Sequence, residues 1–156
     1  MNNLKKNMKK LIIINLIFFI VSNAYSENIE FKKDSLNIIS GERKISFKIE
    51  LAISSEERGK GLMHRDKLPL DHGMLFIYPD NQYVTMWMKN TLIPLDMIFI
   101  RQNGEIEQIV RMTTPNSLKY ISSNNLVRAV LEINGGLSKY LKINKGDKID
   151  YHIFKK

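Results

Sequence analysis

Lys44–Ile53, KISFKIELAI, is the stretch that decides the fold. Ile45, Phe47, Ile49, Leu51 and Ile53 alternate with Ser46, Lys48, Glu50 and Ala52. Side chains two apart along an extended chain share a face, so this pattern means a strand with one apolar and one wet face. The residues that follow change character. Ser54-Ser55-Glu56-Glu57 carries Ser-x-x-Glu, in which a Ser hydroxyl and a Glu carboxylate satisfy the free N–H groups of a helix start. A short helix is predicted from about Ser55 to Met63, weakened by Gly59 and Gly61. Asp71-His72-Gly73 is turn chemistry. GMLFIY, Gly73–Tyr78, reads as a short buried strand stopped by Pro79-Asp80-Asn81.

Farther on, Tyr83–Ile93 reads as a strand that Pro94 breaks or bends. Leu95–Gln102 and Glu105–Met112 flank Asn103-Gly104, a strong hairpin signal because both central residues of a type I′ turn need positive φ. A two-residue loop sets Asp96 opposite Arg111 and Ile98 opposite Ile109. Pro115-Asn116-Ser117 is loop. Leu126–Ile133 is another strand, with Arg128 and Glu132 on one face. Gly135-Gly136 leads into a helical piece at Leu137–Leu141, and Asn144–Asp147 is a turn. Lys148–Phe154 is a last strand, with Ile149, Tyr151 and Ile153 on one face. Short strands joined by turns predict a mainly β protein. The expected form is an antiparallel β-sandwich or a partly closed barrel with one or two short helices.

The N-terminus is of another kind. Lys5, Lys6, Lys9 and Lys10 precede an apolar run, LIIINLIFFIV, and Ala24-Tyr25-Ser26 offers a small-x-small cleavage site. That is the layout of a secretory signal peptide. The run has eleven residues and contains Asn15, whereas a membrane span wants about 20. The reading is a signal at residues 1–26, a lead-in segment at 27–43 and a β domain at 44–154. Export to the periplasm or the medium is expected, with membrane contact only through the leading segment if it stays uncut. No lipid anchor on Cys is expected after the run, because the chain has no Cys.

Removing residues 1–26 removes four of the 24 basic residues and none of the 16 acids, leaving a net charge of +4 rather than +8. The remaining Lys are scattered rather than striped, which argues against nucleic acid as a partner. The absence of Cys excludes thiol catalysis and thiolate metal sites. Sequence alone calls for no cofactor, and a monomer is expected.

Five segments occur in order: EERGKGLMHRDKL (Glu56–Leu68), GMLFIY, WMKNTLIPLDMIFI (Trp87–Ile100), NGEI and LEINGG. In these the chain resembles the family known as domain of unknown function 192 (DUF 192, or UPF 0127), over about residues 44–154. The resemblance implies a compact β fold of jelly-roll type, often exported, and no assigned activity. Its motif positions here are Arg58, Gly61, Leu62, Met63, Arg65, Gly73, Met74, Trp87, Met88, Asn90, Thr91, Pro94, Leu95, Asp96, Glu132 and Gly135. His64 stands where the family often has an aromatic.

WMKNTLIPLD, Trp87–Asp96, is the stretch where chemistry and packing compete. Asn90, Thr91 and Asp96 offer hydrogen bonds beside the flat face of Trp87, a set that suits a small polar or carbohydrate-like ligand of the cell envelope. Arg58 and Arg65 are seven apart and share a helix face if the helix continues, so they would clamp an anionic group. The plainer alternative makes Asp96 a partner of Arg111, Asn90 a satisfier of loop backbone and Trp87 core. A carboxylate pair, Asp96 with Glu132, would make an envelope hydrolase. Met86 and Met88 share a strand face and would suit Cu(I) with a His nearby, although Met also fills irregular cores. A protein-interaction module using an edge strand is the remaining alternative.

Overall fold

The structure, a computed structural model, describes residues 29–154. The signal-peptide reading at 1–26 lies outside them. Among the described residues no helix is long and apolar enough to cross a membrane.

Nine strands and two short helices follow in order. They are β1 (Lys32–Ser40), β2 (Arg43–Ala52), α1 (Ser55–Lys60), β3 (His72–Gln82), β4 (Thr85–Met86), β5 (Leu95–Ile100), β6 (Ile106–Val110), β7 (Ile121–Ser122), β8 (Val127–Asn134), α2 (Leu137–Tyr140) and β9 (Lys148–Asp150). Seven strands form one sheet in the order β6-β5-β8-β3-β2-β1-β9, and β4 pairs with β7 in a two-stranded sheet. All pairings are antiparallel except β2 with β3, which is parallel because α1 and its turn carry the chain back across the sheet.

The large sheet curls until its edges meet at one end. Ile106 N donates to Asp147 O at 2.8 Å, Gly146 N to Ile106 O at 2.9 Å and Ile149 N to Gly104 O at 2.8 Å. Of the two expected forms, this is the partly closed barrel. Its interior is filled by side chains that alternate inward, among them Leu36, Ile38, Phe47, Ile49, Leu75, Ile98, Leu131 and Ile133. Closure joins a turn near residue 104 to one near residue 147 and leaves no open edge there. Gly104 is needed at that seam: its φ is +79°, and an added Cβ would lie 2.8 Å from Ile149 O.

Several boundaries differ from expectation for physical reasons. The segment 27–43 is not a mere lead-in, because β1 lies between β2 and β9 and sends Leu36 and Ile38 into the core. The compact unit accordingly begins at Phe31. The capping box is present, with Ser54 as N-cap and Glu57 closing it, but α1 stops at Lys60 because Gly61 leaves helical geometry (φ 47°, ψ −137°). The hairpin after β5 is not a type I′ turn. Gly104 has positive φ and Asn103 does not, and Gly104 N donates to Arg101 O. The expected register holds from Met97↔Val110 to Phe99↔Gln108 and then slips by one at Ile100↔Ile106. β3 runs past Pro79 through an irregularity between Ile77 and Gln82. The last strand ends at Asp150, before a 3₁₀ turn at His152–Phe154.

Gly73 shows how tightly β3 and β8 approach. A Cβ there would sit 2.7 Å from Glu132 O and 3.1 Å from Ile133 Cγ2. Gly73→Ala is expected to destabilise the domain by about 1–3 kcal/mol, seen as a lower urea midpoint with an unchanged slope.

Candidate functional site

Strand parity divides the candidate residues before any side-chain detail is needed. Directly paired residues share a face, and neighbours along a strand take opposite faces. On β8, Ile133 pairs with Asp96 while Glu132 pairs with Met97. Asp96 and Glu132 therefore project from opposite faces of the sheet. They cannot act on one bond as a carboxylate pair, and the hydrolase reading built on both is corrected.

Asp96 lies at the edge of the barrel interior and is 0% exposed. Its Oδ1 accepts from Met112 N at 2.8 Å and from Gly136 N at 2.8 Å, and its Oδ2 accepts from Ser138 N at 2.9 Å. It makes no ion pair with Arg111. That guanidinium instead donates to Ser138 Oγ and Ile143 O, at 3.0 Å each. Asp96 thus ties the strand after the Pro94 bend to the chain leaving β6 and to the start of α2. It is a structural staple, closed to any ligand.

The rest of Trp87–Asp96 is equally specific. The expected strand Tyr83–Ile93 is strand only at Thr85–Met86. Asn90 turns the chain in a left-handed conformation, φ 54°, which Asn tolerates better than most residues. Asn90 O accepts from His64 N at 2.8 Å, and its side-chain amide lies 4.0 Å from Met63 Sδ. Thr91 N donates to Met88 O, and Thr91 O accepts from Asn116 N. Met88 is fully buried, and its sulfur accepts from the Thr113 hydroxyl at 3.1 Å. Asn90 therefore holds the turn through its own backbone rather than by satisfying freed backbone groups with its side chain, and Met88 is core. Trp87 is not core: it is 40% exposed.

On the outer face of the sheet, α1 with its following turn and the 85–91 segment leave a recess of about 190 Å³. Glu132, Phe76 and Tyr78 come from the sheet. Arg58, Lys60 and Met63 come from one flank, and Met86, Trp87, Lys89 and Thr91 from the other. Of the residues picked from sequence, the recess collects Arg58, Trp87, Thr91, Glu132 and Met86. It excludes Asn90, Asp96, Arg65 and Met88. Arg65 fails to join Arg58 because the helix that would align them ends at Lys60. Arg65 instead pairs with Glu50 and lies 5.7 Å over the Phe31 ring. Glu50 and Glu132 are separated by Met74 in the same cross-strand row.

Arg58 is well anchored. Its Nη1 donates to Ile53 O and, at 3.1 Å, to Ile77 O, and its guanidinium lies 5.1 Å from the centre of the Tyr78 ring. Arg128 does not reach Glu132, because it donates to Tyr78 O. Tyr78 gives its hydroxyl proton to Met86 Sδ at 3.3 Å. Copper through Met86 and Met88 is not supported, since Met88 is in the core. No cluster of metal-ligating His, Cys, Asp and Glu occurs among the described residues.

Glu132 is the chemical centre of the recess. It is 4% exposed, and its strand neighbours Met74 and Met97 are both buried and apolar. Among the described residues its carboxyl makes no hydrogen bond or ion pair. Burial alone raises its pKa from 4.5 to about 8, because an apolar surround penalises the charged form. At neutral pH the group is a neutral acid, with one O–H to donate. The carboxyl also helps hold the Tyr78 phenol up at about 12, where burial is the larger cause. Sequence reasoning passed over Tyr78, Lys60 and Lys89. Tyr78 sits in a run read only as buried strand, and the two Lys look like ordinary surface residues.

Two stability predictions follow from these environments. Asp96→Ala leaves three backbone N–H groups without an acceptor and is expected to destabilise by about 3 kcal/mol or more; Asp96→Asn should recover part of the loss in the same denaturation series. For Glu132 the folded pKa lies above the unfolded one. Its contribution is therefore fully present below pH 4.5 and is lost as pH rises to about 8, at about 1.4 kcal/mol per pH unit. Melting curves should show Glu132→Gln gaining on the wild type across that window.

Comparison with known proteins agrees with this architecture. A crystal structure from Sinorhizobium meliloti 1021, described as a candidate transcription regulator, aligns at a TM-score of 0.77 with 38% identity, covering 79% of this chain and 96% of that one. A protein of unknown function from Novosphingobium aromaticivorans DSM 12444 aligns at 0.77 with 34% identity, covering 82% and 91%. A search of curated proteins gave no match. The family model for DUF192, described as an uncharacterized ACR, matches residues 37–151, a span that begins within β1 and reaches Tyr151. The chain belongs to the DUF192 family.

Proposed function

We propose that the domain is an exported, monomeric binding module that takes a small polar molecule bearing an anionic group into the recess above Glu132. The observation that carries this reading is a buried carboxyl without a protein partner, lining an open recess. A buried polar group normally has a hydrogen-bond partner. Here a ligand oxygen would supply it by accepting from the Glu132 O–H.

The surroundings favour negative charge on that ligand. The titratable and charged groups around Glu132 are Tyr78 on β3, Arg58 and Lys60 on α1, and Lys89 in the loop after β4. Arg58, Lys60 and Lys89 make no ion pair among the described residues. A neutral acid at the base and three cations at the rim suit a carboxylate or phosphate whose oxygens face inward. Met63, Met86 and Phe76 suit the ligand's apolar part. Export is supported by the signal-like residues 5–26. Catalysis lacks support, because Glu132 is the one carboxylate among the recess residues.

The test is a titration with inorganic phosphate and small carboxylates at several pH values. Fluorescence of Trp87, the single Trp of the chain, reads occupancy. At about a hundred times its dissociation constant a ligand adds about 2.7 kcal/mol, a shift of several degrees. Affinity should hold below pH 8 and weaken by up to about tenfold per unit above it, as Glu132 becomes an anion. Glu132→Gln should bind with a flat profile. A pH-independent wild type, or a silent screen at every pH, would refute the reading.

A further inference from the structure

Tyr83, Thr85, Trp87 and Lys89 are exposed, whereas Val84, Met86 and Met88 between them are buried. The alternation makes one continuous outward strip that runs into the recess, since Thr85, Trp87 and Lys89 also line it. The opposite strand continues the surface. Thr85 pairs with Ser122 and Met86 with Ile121, which sets Trp87 beside Tyr120. Their rings are 27° from parallel, with centroids 6.4 Å apart. Between the aromatic positions, Thr85 Oγ1 and Ser122 Oγ share a hydrogen bond of 3.0 Å. Lys89 Nζ lies 5.1 Å from the Trp87 ring centre.

These rings are not there to fill a core. Tyr83 is 67% exposed and Tyr120 69%. Rings of this size ordinarily bury 150–250 Å² each, so two left in water beside a half-exposed Trp form an open platform. Its composition is mixed: ring, hydroxyl pair, ring, ammonium. A purely apolar partner would desolvate the Lys89 ammonium and the one hydroxyl hydrogen that the Thr85–Ser122 bond leaves over. A sugar chain presents both needs at once, with C–H faces to lie on rings and hydroxyls for Thr85 and Ser122. The unpaired cations at the recess rim require that the chain carry acid groups.

We propose that the outward face of β4 and β7 holds an acidic oligosaccharide, whose terminal acidic unit enters the recess over Glu132. The inference rests on the recess reading above and extends it from one small group to a polymer end. The recess accepts one unit, the Trp87–Tyr120 platform carries the next, and Tyr83 lies along the same line on β4's flank. Lys89 stands where platform and recess meet, so it answers an acid group on the entering unit.

The test uses galacturonic acid and its oligomers of two to six units, with neutral maltooligosaccharides of equal length as controls. Trp87 fluorescence and calorimetry are the readouts on the whole protein. Affinity is expected to rise at least about tenfold from monomer to oligomer. Tyr120→Ala should remove the gain from length while leaving monomer binding unchanged. Trp87→Phe should keep most of the gain, which calorimetry reads without the indole, and Trp87→Ala should lose it. Both positions are exposed, and a melting curve on each variant checks the fold. Affinity independent of length, or equal binding of the neutral series, overturns the strip. So does binding of the oligomer unchanged in the Tyr120→Ala, Trp87→Ala double variant. If the monomer and inorganic phosphate still bind with the pH profile given above, the recess reading survives that failure; if they too are silent, both fall.

Discussion

A strand has two faces, and the alternation of β8 is the constraint on which this molecule depends. Leu131 and Ile133 point into the barrel, and Val130 and Glu132 point away from it. Moving the register by one residue would exchange the two sets. It would place an acid in the aliphatic interior and two large aliphatic side chains under the recess. The partners on both sides hold the register. Gly73 allows β3 to close in on Glu132 and Ile133 of β8, and Asp96 fixes β5 against the chain that leaves β8. The same alternation separates two acids that sequence alone cannot tell apart. One has three N–H donors and no room. The other has room and no donor.

Asp96 has a second consequence, because the loop that walls the recess begins where the staple ends. Gly135 N donates to Pro94 O at 2.9 Å, and a Cβ on Gly135 would lie 3.0 Å from Pro94 atoms. Thr113 takes both sides of the bend: its N–H donates to Leu95 O, and its hydroxyl oxygen accepts from Leu95 N. Asn90 and Thr91 then pin the loop to the turn after α1 and to residue 116. Arg58 pins the other flank to β3. One wall therefore rests on backbone–backbone hydrogen bonds and the other on the Arg58 side chain bonded to backbone carbonyls, which narrows the shapes the recess can take.

Much of the fold was legible because alternation is a local signal. The β2 pattern, the pairing of Ile98 with Ile109, and the Ser54–Glu57 capping box all follow from neighbours in the chain. β1 was lost because Lys32, Lys33 and Asp34 hide its start, and only Leu36 and Ile38 show an inward period. Barrel closure joins Gly104–Ile106 to Asp147–Ile149, a contact between distant turns that no local pattern announces. The site divides in the same way. Trp87, Thr91, Arg58 and Glu132 were visible as unusual residues, but which of them converge depends on the β5–β8 register and on where α1 stops. Arg65 was misplaced for that second reason. The outward series Tyr83, Thr85, Trp87, Lys89 was present in the sequence as a wet face. The expectation of a long strand ending at Pro94 drew attention to the polar residues near the bend instead.

Glu132 is a costly residue on folding grounds alone, because burial is the one cause of its raised pKa. An apolar residue of similar volume between Met74 and Met97 would pack without desolvating a carboxyl, and replacing buried polar groups in this way is commonly neutral or stabilising. The surrounding chain does nothing to relieve the burial. Arg58 is spent on Ile53, Ile77 and the Tyr78 ring, Arg128 on Tyr78 O, and the Tyr78 hydroxyl on Met86. Arg58 and Tyr78 line the same recess, and each is directed elsewhere. That arrangement keeps the acid protonated and its hydrogen free at neutral pH. A structural acid is held as Asp96 is, with every oxygen answered by the backbone. Glu132 has neither oxygen answered by the protein among the described residues, and the proposed ligand would use the hydrogen that this leaves free.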